Sequence, residues 1–168
     1  MIFNVQNSLE NLSWKLGKYR KIWGDVDGTS VLDVINPAGS ILSQSLPGLK
    51  LPSRWLGETS VFIARNTFEI FFSFKPDTLH AVNSTSENSG SEIGFKSSFD
   101  IKRGQLNFYL GSLFPRVGVI NVASGLSDSS RYNLVGISAH KEIENYLVKF
   151  DLAKKINLKR SISCDLSK

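Results

Sequence analysis

Glu58, Glu69 and Glu92 could in principle supply paired carboxylates, which acid–base hydrolysis of a glycosidic bond requires. No E-x-D-x-E pattern accompanies them. His80 and His140 are the two histidines, each beside loop-like sequence. A Ser/His/Asp set built on His140 would be a nucleophilic centre, but no Gly-x-Ser-x-Gly elbow is present to expose a serine. Without a cluster of Asp, Glu or Cys nearby, neither histidine makes a good zinc ligand. Asp25-Val26-Asp27-Gly28 begins like a calcium loop but lacks the further acidic position and the closing Glu, so it is expected to be a tight turn. No glycine-rich loop suits a phosphate. The residues therefore point to a non-enzymatic protein with no cofactor and no metal.

The remaining chemistry is that of contact. Aromatic rings can stack on sugars, and Trp55, in a Pro-interrupted stretch, is the best candidate for an exposed one. Leu9, Leu12, Leu16, Tyr19 and Trp23 recur at spacings of three and four and could form one partner-docking stripe. Lys154, Lys155, Lys159 and Arg160 could form another, or could protect an edge strand from unwanted pairing. The net charge of +5 favours anionic surroundings without naming one, and nucleic acid is the weaker reading of the basic end.

The elements that position these residues are mostly strands. In Thr67-Phe68-Glu69-Ile70-Phe71-Phe72-Ser73-Phe74-Lys75, apolar residues alternate with others, and Phe71 on the second face implies that this face is partly covered too. Further short strands are expected at 30–35, 60–64, 92–95, 105–110, 117–122, 132–138 and 143–152, punctuated by glycines. Residues 36–58, broken by prolines, should be irregular or edge material. For residues 8–23 the pattern fits an amphipathic helix capped by Ser8, with Gly17 as a weak point, and it also fits a pair of strands.

Asn66 to Pro76 resembles the "sFtisfwfKp" strand of laminin-G-like, concanavalin-A-like jelly rolls. Gly104-Gln105-Leu106-Asn107-Phe108-Tyr109-Leu110-Gly111 is similar to that family's next strand. Arg131-Tyr132-Asn133-Leu134-Val135-Gly136 and Asn145-Tyr146-Leu147-Val148-Lys149-Phe150 follow in the family's order. Tyr132 stands where the family has Trp, and the usual Asp-Gly after the last strand is missing. The resemblance spans residues 61–151. It implies an antiparallel β-sandwich and a binding role, and it carries over no ligand site.

One cysteine, Cys164, allows no internal disulfide. Met1-Ile2-Phe3-Asn4 lacks a signal-peptide pattern, so the sequons at Asn11 and Asn83 are expected to be chance matches. No apolar run approaches the length of a membrane span, so a soluble domain with no membrane span is expected. The expected organisation is an N-terminal arm or helix over 1–24 and a β-sandwich over 25–168 with a basic C-terminal strand or tail. The expected role is that of a structural protein of a large assembly, such as a capsid decoration or tail protein of a bacteriophage virion, made in the host cytoplasm. Its partners would be other structural proteins or further copies of itself. A lectin-like, carbohydrate-binding module is the alternative.

Overall fold

The computed structural model describes residues 3–19, 21–26, 30–32, 34–35, 54–74, 90–115, 119–120, 127–128 and 130–158. Eight strands form one antiparallel sheet: β1 (Phe3–Leu9), β2 (Leu12–Tyr19), β3 (Arg54–Ile63), β4 (Asn66–Phe74), β5 (Ser91–Ile101), β6 (Gly104–Leu113), β9 (Tyr132–Ile143) and β10 (Tyr146–Ile156). Two short strands, β7 (Val119–Ile120) and β8 (Ser127–Asp128), pair only with each other. The large sheet is a meander in which each strand pairs with the next of the eight. β1 and β10 are its edges and do not meet.

The antiparallel β class is as expected. No helix occurs among the described residues. Residues 8–19 instead belong to a hairpin whose register pairs Leu9 with Leu12 and Val5 with Leu16, and 21–23 are irregular backbone beyond it. The helical spacing of those leucines is a product of that pairing, because residues facing each other across a two-residue turn lie three apart in sequence. Two other expectations are corrected. Residues 30–32, 34 and 35 form turns and irregular backbone, not a strand, and 54–58 belong to β3, which lies inside the sheet between β2 and β4.

The connections alternate in length. β1–β2, β3–β4, β5–β6 and β9–β10 are each joined by two residues: Glu10-Asn11, Ala64-Arg65, Lys102-Arg103 and Glu144-Asn145. These turns lie at one end of the sheet. The strand ends that lead into the longer connections, 20–53, 75–90 and 114–131, are at the other. Three of the short turns hold a non-glycine residue at positive φ: Ala64 at 55°, Arg103 at 58° and Glu144 at 54°. An L-residue there carries a steric cost that glycine escapes, while glycine costs more entropy on folding. Glu144→Gly should therefore raise stability by about 0.5–1 kcal/mol in a denaturant titration.

Because cross-strand partners share a face, the register sorts every strand residue onto one of two sides. One side carries Glu58, Glu69, Phe71, Glu92, Lys96, Asn107, Tyr109, Leu134, Ser138, His140 and Asp151. The other carries Leu12, Trp14, Val61, Phe68, Ile70, Phe72, Phe95, Phe99, Phe108, Leu110, Val135, Val148 and Phe150. The compact core sits on the polar side. There Trp23, Leu32, Val34 and Ile35, from the connection after β2, pack with Tyr19, Leu56, Phe71, Tyr109, Leu113, Tyr132 and Leu134.

Candidate functional site

The polar side is held together by two networks. In the first, the Lys21 ammonium lies 2.8 Å from Glu58 Oε2 and 2.6 Å from Glu69 Oε1, and Lys21 is only 7% exposed. The Tyr19 hydroxyl donates to Glu58 Oε2 at 3.1 Å. Glu58 and Glu69 come together because the Ala64-Arg65 turn sets Ser60 opposite Glu69 and Phe71 opposite Glu58, which makes the two glutamates diagonal neighbours. Glu92 stands apart, wholly buried, and accepts the Phe114 backbone N–H at 2.7 Å.

In the second network, Asp25 Oδ2 accepts from Asn107 Nδ2 and from Ser138 Oγ, both at 2.7 Å, and lies 3.6 Å from His140 Nδ1. The Tyr109 hydroxyl is 3.0 Å from Ser138 Oγ. Asp151 accepts the backbone N–H groups of Asp25 at 3.1 Å and Val26 at 3.4 Å, and also the Ser30 hydroxyl. Ser, His and Asp thus meet, but in the wrong order for nucleophilic catalysis. Ser138 is fully buried and its hydroxyl is committed to the carboxylate, not to the imidazole. Both networks fasten the 21–35 segment to the sheet. Among the described residues no group of His, Cys, Asp and Glu could hold a metal ion.

The other side is a continuous apolar surface. Of the large hydrophobic side chains left exposed, all but Ile22, Val31, Phe62 and Leu147 lie on it. Central residues are among them, with Ile70 at 45% and Leu110 at 51% exposed. No Asp or Glu of the eight strands is on this face. Its three lysines, Lys18, Lys141 and Lys154, each lie within two residues of a strand end. A long lysine there can lay its stem on apolar surface and reach past the rim with its charge. Aromatic residues mark both rims: Trp55 and Phe74 at the long-connection end, and Tyr146, 73% exposed, at the short-turn end.

The residues singled out as docking candidates divide between the two faces. Leu9, Leu12, Leu16 and Lys154 are on the apolar side, while Tyr19 and Trp23 are in the core of the polar side. Lys155 is on the polar side, with its ammonium 5.9 Å from the centre of the Tyr132 ring. Trp55 is exposed, on the rim of the apolar face, opposite Lys18. Lys159, Arg160 and His80 lie outside the described residues. The contribution of Lys21 had no signal in the sequence, since it enters from a connection and reaches across two strands.

No protein-family model, curated protein or solved structure matches this chain. No helix among the described residues is long and apolar enough to cross a membrane. Strands can cross one on different terms, and those terms depend on how the two faces differ.

Proposed function

We propose that this sheet is part of the wall of a transmembrane β-barrel, with its apolar face against lipid and its polar face toward an aqueous lumen. The observation that carries this reading is the segregation of charge. Every carboxylate of the eight strands of the large sheet is on the polar face, and lysine reaches the apolar face only near strand ends. A soluble sheet places its apolar face inward, whereas here the core of the described residues is on the polar side and none of them covers the apolar one. Outer-membrane-type barrels alternate apolar-out and polar-in along each strand, join strands by short turns at one end and long loops at the other, and carry aromatic girdles. Size agrees as well. Tyr146 to Ile156 extends about 33 Å along β10, or about 25 Å of height at a tilt of about 40°, which matches the apolar band of such barrels.

Hydrocarbon leaves no partner for a bare sheet edge, so the barrel requires further strands paired with β1 and β10. Since those two edges do not meet, eight strands alone do not close the wall.

The three tryptophans give a direct test. Trp14 and Trp55 lie on the apolar face and Trp23 on the other. In vesicles containing brominated lipid, variants retaining only Trp14 or only Trp55 should lose most of their fluorescence, and the variant retaining only Trp23 should keep it. Equal indifference of all three to the lipid would rule out the barrel.

The bare face also supports a second reading. In it, a further copy or another protein covers the apolar side, so that a sandwich forms between chains within a large assembly such as a phage virion. This reading expects a detergent-free oligomer of defined mass. The alternation of turn lengths and the placement of the lysines favour lipid.

A further inference from the structure

The described part of the connection after β2 crosses the polar face. Lys21 is clamped by β3 and β4. Trp23 then packs 5.1 Å from Phe71 of β4 and 5.2 Å from Tyr109 of β6, between ring centres. Asp25 reaches Asn107 of β6 and Ser138 of β9, and the carboxylate of Asp151 on β10 holds the following backbone and Ser30. The segment thus runs sideways over strands from β3 to β10, fixed at both ends by charge.

The wall is recessed to receive it. Gly94 lies beneath Phe71 and Trp23, and Gly136 beneath Leu32; a Cβ at Gly94 would collide with both rings, and one at Gly136 with Leu32. Two glycines on the polar face, each directly under a large apolar side chain of one connection, form a seat for that connection. Toward the short-turn end the segment no longer covers the face. There a hollow of about 530 Å³ opens, lined by residues including Arg65, Asp100, Arg103, Gln105 and His140.

We propose that the described residues of the connection after β2, 21–26 and 30–32, form a constriction folded into the lumen, and that they, more than the strands, limit the passage of ions and small hydrophilic solutes. The inference rests on the barrel reading. Lys21 and the Asp25–Asp151 network pin the constriction, and the Gly136 recess sets its height above the wall.

Single-channel recording in planar bilayers tests it, with two variants of unrelated chemistry. Asp25→Ala with Asp151→Ala removes the polar anchor, and Gly136→Val fills the recess under Leu32. Circular dichroism in detergent identifies which variants remain folded. Conductance should rise about twofold or more in each folded variant, because a displaced segment widens the lumen. Folded variants conducting as the parent does would overturn the constriction and leave the barrel standing. A parent whose tryptophans are quenched by brominated lipid, but which forms no channel even when the segment is released, would overturn it as well. Absence of both channels and quenching would mean that the barrel reading itself had failed.

Discussion

Lys21→Met is expected to destabilise the folded protein by about 3–5 kcal/mol at neutral pH, the usual cost of leaving buried carboxylates without their counter-ion. The ammonium touches both Glu58 and Glu69, so its loss leaves two acidic groups side by side without the counter-ion they shared. Two further measurements separate this cause from a simple loss of packing. Lowering the pH from 7 to 4 should shrink the deficit relative to the parent, since protonated carboxyls need no cation and the parent's own ion pairs weaken there. Adding Glu58→Gln and Glu69→Gln to Lys21→Met should recover most of the loss, because removing all members of a buried ionic group costs far less than removing one. A deficit unaffected by either change would assign Lys21 a packing role.

Where the sequence and the structure part company, the reason is usually the reach of an interaction. Strand β4 was legible because its alternation is local: Phe68, Ile70, Phe72 and Phe74 fall on one face by the pleat alone. The N-terminal hairpin was ambiguous for an equally local reason. Leu9 and Leu12 face each other across the Glu10-Asn11 turn, and this imitates the three-residue step of a helix. Pairing against β3 decides the matter, and no window of residues 8–23 contains that information. The Glu58–Glu69 association is intermediate. Placing the turn at Ala64-Arg65 is enough to bring the two together, but nothing near either glutamate announces Lys21.

The two faces were separable from sequence, but their destinations were not. An alternating strand specifies an apolar side and a polar side, and the ordinary inference puts the apolar side in the core. Phe71, an aromatic on the polar side, hinted that the polar side is covered too. The structure shows the cover to be Trp23 and its neighbours, while among the described residues nothing packs over the richer apolar face. The solvent of each face is set by what surrounds the sheet, which periodicity does not encode. The alternation of short and long connections carries that information at the level of the whole chain, and becomes visible only when strand ends are known.

Ile70→Arg addresses that solvent directly. Ile70 is the middle residue of β4 and is 45% exposed, between Thr59 of β3 and Phe95 of β5. On a water-facing sheet an arginine there would change stability by no more than about 0.5 kcal/mol. Facing the middle of a bilayer it should cost about 2–4 kcal/mol, and an arginine near the interface only about 0–1 kcal/mol. The contrast with Tyr146→Arg, at the short-turn rim, is therefore the informative quantity. Unfolding of both variants from lipid vesicles by denaturant gives it. A large penalty at Ile70 that fades at Tyr146 is the depth profile of a hydrocarbon slab. Covering by another protein surface has no such profile, because the cost would follow local packing and not distance from a midplane. Equal, small effects at both positions would place this face in water and remove the reason for a barrel, since the apolar face would then be bare in solution and unsupported by any lipid contact.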